Sequence, residues 1–494
     1  MSEQKDGLTT SSISETLISD NDQSFKSQYL KHSELLTNLL KYVKPVDFRK
    51  LAKLLEGEKL TVRHYVVFVV KEIIRLAQSM NWNICHHNNH VYLYNGAYWA
   101  KIEDELLKRF LGLAAKKMGW DQSFSDHFKY RDDLFKQFMN AAYLPALQSN
   151  NRKVLINLQN GTFEITNKGT KLREFDPRDF LTYQLPFTYD PDAKAPTFQK
   201  YIERVLPDKT LQNVLSEYAG YVFIPTASLK LEKVLMLYGT GANGKSVFFD
   251  ILRALVGNQN FSTYTLQSLT NESGYHRHEL GNRLVNYASE ISGRIETSYF
   301  KTLASGEPIE ARLPYRNPVI IRNYAKLIFN VNILPQDVEH TEGFYRRFII
   351  IPFKVKIPEH ERDLNLADKI IQNELPGVFN WVLSGLYRLL EQGNFTHSEV
   401  IANEIETYRQ ESDSVALFMK DNHYFKSLEQ HVPQKDLYSA YRGYSKENGY
   451  KPVTYIGFGK RLENLGFIRE VNSAGRIVYV EKPDDISLVH YSME

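Results

Sequence analysis

The segment from Gly239 to Ser246 reads GTGANGKS, which fits the pattern G-x-x-x-x-G-K-S/T of a phosphate-binding loop. Its glycines let backbone N–H groups curl around phosphate oxygens, and a helix that starts there adds partial positive charge. Lys245 is expected to reach the β- and γ-phosphates of a nucleotide, and the Ser246 hydroxyl to ligate Mg²⁺. The alternative, a chance match in a structural glycine turn, is disfavoured because a strand-like run precedes the loop and a helical run follows. The predicted nucleotide-binding residues are Gly239, Thr240, Gly241, Ala242, Asn243, Gly244, Lys245, Ser246 and Val247.

Three other strand ends carry residues that could serve hydrolysis. The run RLVNYASE ends at Glu290, whose carboxylate could hold Mg²⁺ or polarise water, and AKLIFNVN ends at Asn332, whose amide could orient the attacking water. Each has an ordinary alternative: an exposed glutamate that closes a strand, and an asparagine that forms a turn. A further strand, RRFIIIPF, begins with Arg346 and Arg347. Paired arginines at the start of a strand are most often solvated. At a subunit boundary, however, one arginine can stabilise the transition state of hydrolysis in the neighbouring subunit.

The whole chain has the composition of an ordinary soluble protein, and its 494 residues allow three or four domains of about 100–200 residues each. A formal charge of +3 neither demands nor excludes nucleic acid, so any basic surface must be local. A single cysteine excludes a disulfide framework, and no apolar run reaches the roughly 18 residues of a membrane span. We therefore expect a cytoplasmic protein with no membrane partner.

Hydrophobic periodicity and turn residues divide the chain into five predicted segments. A polar, flexible tail covers 1–27 and a helical region covers 28–80. Residues 81–197 read as an α+β accessory domain that ends in the proline-bearing connector LPFTYDPDAKAPT. Residues 198–410 alternate strands with helices around the phosphate loop, which predicts an α/β fold, and 411–494 form a compact C-terminal unit.

These pieces, in this order between residues 233 and 353, resemble superfamily 3 helicases, specifically the phage and plasmid primase-helicase branch that includes the poxvirus primase-helicase. GTGANGKS is similar to the Walker A motif of that family, RLVNYASE to its Walker B motif, KLIFNVNILP to its sensor motif and GFYRRFIIIPF to its arginine-finger strand. The resemblance covers residues from about 85 to 485. It implies an AAA+ P-loop NTPase motor with an N-terminal α+β accessory region and a C-terminal winged-helix domain.

The family implies a homo-oligomeric ring, usually a hexamer, which hydrolyses ATP between subunits with Mg²⁺ and moves along single-stranded DNA. Ser289 stands where many AAA+ relatives carry an acid, so Mg²⁺ would rest on Ser246 and water while Glu290 serves two roles. By position, the resemblance assigns catalytic roles to Lys245, Glu290, the sensor Asn332 and the arginine finger Arg347, with Arg346 as the second choice for the finger. It assigns the ligation of Mg²⁺ to Ser246 and Glu290.

The segment EARLPYRNP resembles a hairpin that points into the ring channel in this family. Arg312 and Arg316 could hold DNA phosphates there, and Tyr315 could pack on a sugar or base without reading sequence. Lys301, on the preceding helix, could contact nucleotide or DNA. The alternative is a solvated surface hairpin.

The C-terminal stretch reads helix, turn, helix and then two short strands, which is a winged-helix pattern. Cations are in local excess there, and Lys460 and Arg461 lie on the candidate recognition helix, so both are predicted to bind DNA. The alternative is a winged helix that docks a protein.

Two other features of the sequence do not indicate further sites. Cys85, His86, His87 and His90 could suggest a metal site, but they flank an Asn-Asn turn and no second ligand cluster is evident. The helical region before the accessory domain is too small for a primase active site, so primase activity is not expected, and a separate primase or polymerase stays open as a partner.

The sequence therefore predicts an ATP-dependent DNA helicase or replication initiator of a mobile element or phage, acting on single-stranded and forked DNA. The alternative is a DNA-stimulated AAA+ NTPase that assembles on DNA without processive unwinding, for which the motor motifs are the same. A transporter or GTPase is disfavoured, because the chain has no transporter signature near the loop and no Asn-Lys-x-Asp motif.

Overall fold

The computed structural model describes residues 30–481 except 88–89, 145–152, 227, 290, 292–294, 314–317, 336–338, 451 and 474. The predicted tail at 1–27, Glu290, Tyr315 and Arg316 all lie outside the described residues. What was predicted for them stays a prediction.

Most buried apolar residues between 35 and 138 share one hydrophobic core, and a small second cluster around Trp99 packs against Phe180. The third helix illustrates why it forms: Val66, Val69, Val70 and Ile73 recur at helical spacing and are all buried. The predicted helical region at 28–80 is not separate, because its helices pack into this core with the helices that follow. The elements are α1 (His32–Tyr42), α2 (Phe48–Leu51), α3 (Val62–Ser79), the antiparallel strands β1 (Asn83–His87), β2 (His90–Tyr94) and β3 (Trp99–Ile102), then α4 (Asp104–Met118), α5 (Gln122–Ser125) and α6 (Phe128–Ala141).

A second antiparallel sheet follows, made of β4 (Lys153–Leu158), β5 (Gly161–Thr166) and β6 (Gly169–Arg173). Its apolar face joins the core of the next unit rather than that of residues 30–144. In the connector that follows it, the Phe187 ring meets the Phe379 ring edge-on, with 5.5 Å between centroids. The predicted boundary at 197 therefore does not coincide with a boundary between cores, since Leu185 and Phe187 of the connector belong to the core of the following unit.

A five-stranded parallel sheet forms the centre of the chain, as the predicted α/β class requires. Its order is β13-β7-β12-β9-β8, so that the fourth strand in the chain is inserted between the first and the third. A short antiparallel hairpin, β10 with β11, stands apart from it. The strands are β7 (Val234–Tyr238), β8 (Phe261–Ser262), β9 (Val285–Ala288), β10 (Ile309–Ala311), β11 (Val319–Ile321), β12 (Lys326–Val331) and β13 (Phe348–Pro352).

The strands are buried on both faces, as in a sheet covered by helices. In β7, Leu235 and Leu237 enter the core on one face, while Val234 and Met236 enter the core on the other. On the first face two helices cross closely: a Cβ on Gly220 would lie 2.7 Å from the Cβ of Leu386. The helices are α7 (Pro196–Val205), α8 (Lys209–Tyr221), α9 (Lys245–Val256), α10 (Leu266–Thr270), α11 (Tyr275–His278), α12 (Thr297–Ser305), α13 (Glu342–Tyr345), α14 (Leu366–Gln392) and α15 (Glu399–Glu411).

The C-terminal unit has its own core. Its elements are α16 (Ser414–Asp421), β14 (Phe425–Pro433), α17 (Gln434–Glu447), α18 (Tyr455–Asn464), β15 (Arg469–Asn472) and β16 (Gly475–Glu481), with the strands in the order β14-β16-β15. The sequence predicted only the last two strands. β14 was missed because almost all of its side chains are exposed, so that it carries no alternating apolar pattern.

Across the described part of the chain, none of the helices combines the length and the apolar composition needed to cross a bilayer.

Candidate nucleotide-binding site

The predicted phosphate loop joins the end of β7 to the first turn of α9. Three of its residues have the left-handed backbone that curls a loop, with φ of 88° at Gly241, 51° at Ala242 and 88° at Gly244. Gly244 also has no room for a side chain, because a Cβ there would lie 2.7 Å from Cγ1 of Val205. The loop therefore curls at the N-terminus of α9, where backbone N–H groups can bind an anion.

Side chains and backbone from outside the loop fix its shape. The Tyr201 hydroxyl, on α7, donates to the carbonyl of Gly244 at 2.8 Å. Asn243 donates from Nδ2 to the carbonyl of Phe353 at 3.1 Å, just beyond β13. Tyr201 was missed from the sequence, where it shows only as one apolar position of an amphipathic helix.

Lys245 is buried, and burial lowers the pKa of its ammonium group. Its Nζ donates to the carbonyl of Gly239, to Oδ1 of Asn243 at 3.2 Å and to Oδ1 of Asn332 at 3.5 Å. These acceptors are all neutral, so no charge within the described residues compensates the ammonium. A buried cation at a helix N-terminus fits an anionic phosphate.

Asn332 reaches Lys245 because β12 lies between β7 and β9 in a parallel sheet. The carboxyl ends of the three strands meet at one edge, where the loop, Ser289 and Asn332 follow them. Glu290 lies outside the described residues, but β9 ends at Ala288, two positions before it. The Ser246 hydroxyl belongs to an exposed residue in the first turn of α9 and is free to take a ligand.

Arg346 and Arg347 lie at the opposite edge of the same sheet. They precede β13, whose first residue, Phe348, pairs with the first residue of β7, Val234. The strand between the two edges has five residues and spans about 16 Å. Neither arginine can therefore approach the phosphate loop of its own chain.

Both arginines are held by contacts within the chain. Arg346 donates from Nη2 to Oε2 of Glu232 at 2.7 Å, and its side chain is 51% exposed. Arg347 is only 11% exposed; its Nη2 lies 3.3 Å from Oε2 of Glu232 and 3.2 Å from Oγ of Ser305. Burial lowers the pKa of Arg347, and its Nε is buried without a hydrogen-bond partner.

The segment predicted to contact DNA lies between β10 and β11, which pair antiparallel, and its contact with DNA stays a prediction. Arg312 is exposed beyond the end of β10, and Lys301 on α12 binds both carboxylate oxygens of Glu339 at 2.8 Å. A buried arginine that the sequence did not reveal anchors the hairpin. Arg277 donates from Nε to the carbonyl of Glu310 at 2.8 Å, and its guanidinium lies 4.2 Å from the centroid of the Tyr299 ring on α12.

The two predicted cations of α18 differ in placement. Lys460 is exposed, whereas Arg461 is 19% exposed and donates from Nη1 to Oδ1 of Asp413 at 3.1 Å. Asp413 also caps α16, so Arg461 links two helices of the unit. Its predicted DNA contact conflicts with this ion pair, because its position on α18 turns it toward α16.

The cysteine–histidine cluster makes contacts with the backbone. Burial raises the pKa of Cys85 to about 12, and the Nδ1 atoms of His86 and His87 lie 3.1 Å from the carbonyls of Met139 and Leu144. Among the described residues, no group of three or more His, Cys, Asp or Glu could hold a metal ion. Glu290, the predicted Mg²⁺ ligand, is outside that set.

Three family models match successive segments of the chain. "D5 N terminal like" matches residues 68–207, "Family of unknown function (DUF5906)" matches 237–347 and "Poxvirus D5 protein-like" matches 410–482. A protein of Acanthamoeba polyphaga mimivirus whose name describes it as a helicase is 23% identical over 407 residues, which are 73% of this chain and 42% of that protein. The chain thus spans less than half the length of this relative.

Among solved structures, two apo forms of the NrS-1 C-terminal region are similar in fold. One is 12% identical with a TM-score of 0.46 and covers 86% of this chain and 100% of its own. The other is 11% identical with a TM-score of 0.45 and covers 84% of this chain and 100% of its own.

Proposed function

Since the chain is related to the phage and viral primase-helicases, we propose that it is an ATP-dependent DNA helicase or replication initiator that works as a ring on single-stranded DNA. The observation that carries this proposal is the approach of Lys245 to Asn332, 3.5 Å apart across neighbouring strands. It brings together a cation and an amide at the point where a γ-phosphate would lie. The strand order, with β12 inserted beside the loop strand, supports a motor of AAA+ type.

The residues of the site share the tasks of hydrolysis in this proposal. The loop backbone and Lys245 bind the phosphates of ATP, and the Asn332 amide orients the attacking water. The Ser246 hydroxyl and the Glu290 carboxylate would hold Mg²⁺, which neutralises charge on the phosphate oxygens when bound. Glu290 also accepts hydrogen bonds from that water.

The position of the arginines supports an oligomer. Because Arg346 and Arg347 lie about 16 Å from the loop edge of their own sheet, an arginine finger must come from a neighbouring copy. A closed ring, with six copies as in the family, supplies one finger to every site.

Two surfaces of the chain are suited to DNA. The hairpin carries Arg312 just beyond β10, and Tyr315 and Arg316 stand in the sequence between β10 and β11. The C-terminal unit has the element order and the strand order β14-β16-β15 of a winged helix, with Lys460 exposed on its second consecutive helix.

Strand displacement on a forked duplex tests the proposal. The wild type is expected to hydrolyse ATP faster with DNA and to release the labelled strand, whereas Lys245→Ala and Glu290→Gln should do neither and still assemble. DNA-stimulated hydrolysis without displacement would instead identify an NTPase that assembles on DNA. An ATPase indifferent to DNA, working equally well as a monomer, would overturn both.

A further inference from the structure

A hollow lies between β1 and α6, far along the chain from the residues proposed for the motor. Its volume is about 390 Å³, within the range of about 300–1,000 Å³ typical of small-ligand pockets. It is open to solvent and combines aromatic, apolar and polar groups. The lining residues are His86, Phe135, Lys136, Met139, Asn140 and Tyr143.

His86 lines this hollow through its ring, while its Nε2 is an unused hydrogen-bond acceptor beneath the surface. Its Nδ1 lies 3.1 Å from the carbonyl of Met139, so Nδ1 carries the proton and Nε2 is an acceptor. The Nε2 atom is buried and has no hydrogen-bond partner. Because Nε2 has no accessible surface, a group seated in the hollow contacts the His86 ring and not this acceptor.

Tyr143 supplies a rigid aromatic surface beside His86. Its side chain is 62% exposed, and its ring centroid lies 5.8 Å from that of His86. The backbone on each side of it is tied to β1, since His86 N donates to the carbonyl of Ala142 and Leu144 N donates to the carbonyl of His86, both at 2.8 Å. An exposed ring on such a fixed backbone is preorganised for stacking.

The hollow also carries a free positive charge. Lys136 is exposed, and within the described ranges no carboxylate lies in ion-pair distance of it. The other nearby cation, Lys108, is already neutralised by Glu105 at 2.8 Å and Asp132 at 2.9 Å. A ligand with an anionic group next to its ring would therefore bind here more tightly than one without.

We propose that this hollow binds one unstacked base of single-stranded DNA. Tyr143 stacks on the base, the His86 ring packs beside it, and the Asn140 amide pairs with an atom of the base edge. Lys136 contacts the adjoining phosphate. This site rests on the proposed function, because the bound strand is the one that the motor would translocate.

Photo-cross-linking of the full chain tests the site directly. A single strand carrying 5-iododeoxyuridine is irradiated with the protein, and the linked peptide is identified by mass spectrometry. The expected product joins DNA to the peptide that contains Tyr143 or Phe135. Cross-links confined to the hairpin and the C-terminal unit would overturn the proposal.

Binding measurements separate this site from the motor. Tyr143→Ala should weaken single-strand binding roughly ten-fold, whereas Tyr143→Phe should retain affinity because the ring is kept. The matched control is Tyr42→Ala, another exposed tyrosine of the same unit. ATP hydrolysis without DNA should be unchanged in all three.

The outcomes distinguish failure of the site from failure of the proposed function. If Tyr143→Ala binds DNA as Tyr42→Ala does while Arg312→Ala still weakens binding, the hollow is not a DNA site and the helicase proposal stands. If the wild type binds no single strand, both proposals fall.

Discussion

The carboxylate of Glu232 accepts a hydrogen bond from Arg346, with 2.7 Å between Oε2 and Nη2. The same oxygen lies 3.3 Å from Nη2 of Arg347. One acid thus holds both candidate fingers within their own chain. By exposure, Arg346 is the more accessible of the two, although the resemblance ranked Arg347 first.

A mixing experiment identifies the finger. Arg346→Ala and Arg347→Ala are each combined with Lys245→Ala, which keeps both arginines but lacks a working loop. If an arginine acts on a neighbour's ATP, its variant alone should lose about 10³-fold in kcat, and the mixture should regain part of the activity. Absence of any recovery with both variants would contradict action between subunits.

Asn332→Ala should separate binding from hydrolysis. Because the amide is assigned to orient water, we expect nucleotide affinity near that of the wild type and kcat lower by about 10²-fold. The control is Asn373→Ala, an exposed asparagine on α14. Equal losses of affinity and turnover would instead indicate that Asn332 only supports Lys245.

Arg277→Lys tests the anchor of the hairpin. Lysine keeps the charge but cannot span the carbonyls of Glu310 and Leu269, which Arg277 contacts at 2.8 and 3.1 Å. The substitution should cost about 1–3 kcal/mol of stability and reduce DNA stimulation of the ATPase more than its basal rate. Equal reduction of both rates would show a role in general stability alone.

Lys326 is expected to make the stability of the unit around the parallel sheet depend on pH. Its Nζ lies 3.2 Å from Oγ1 of Thr226 and 4.0 Å from the centroid of the Tyr221 ring, and burial lowers the pKa of Lys326 to about 7. The unfolded chain keeps this proton up to a pKa of 10.5, so folding releases it between these values and stability rises with pH there.

Lys326→Met should remove that dependence. Relative to the variant, the wild type should gain up to about 1.4 kcal/mol per pH unit between pH 7 and 10, and nothing below pH 7, where both states are protonated. Denaturant unfolding at several pH values measures the difference. A constant difference across this range would contradict the assignment.

Lys460 and Arg461 should behave differently despite being neighbours. Lys460→Ala should reduce the slope of log affinity for DNA against log salt concentration by about one. It should have little effect on stability. Arg461→Ala should destabilise the C-terminal unit through Asp413, by about 1–3 kcal/mol. A larger loss of DNA affinity in a fully folded Arg461→Ala would reverse this assignment.

The sequence was most informative where one local pattern determines both structure and chemistry. The strand predicted at 234–238 is β7, and the runs before Glu290, before Asn332 and after Arg347 contain β9, β12 and β13. Their order in the sheet was not predictable, because it depends on contacts between strands distant in the chain. For the same reason Arg461 was taken as a surface cation and Arg277 was overlooked: nothing local marks a charged residue as buried.

The hydrogen bond from Tyr201 to Gly244 limits where the chain can be cut into fragments. A fragment that begins at β7 would include the entire segment Gly239–Ser246 yet leave Gly244 without its hydrogen bond from the Tyr201 hydroxyl. Fragments meant to retain nucleotide affinity should start no later than Pro196. Exchange of motors between related proteins should likewise carry this preceding helix along.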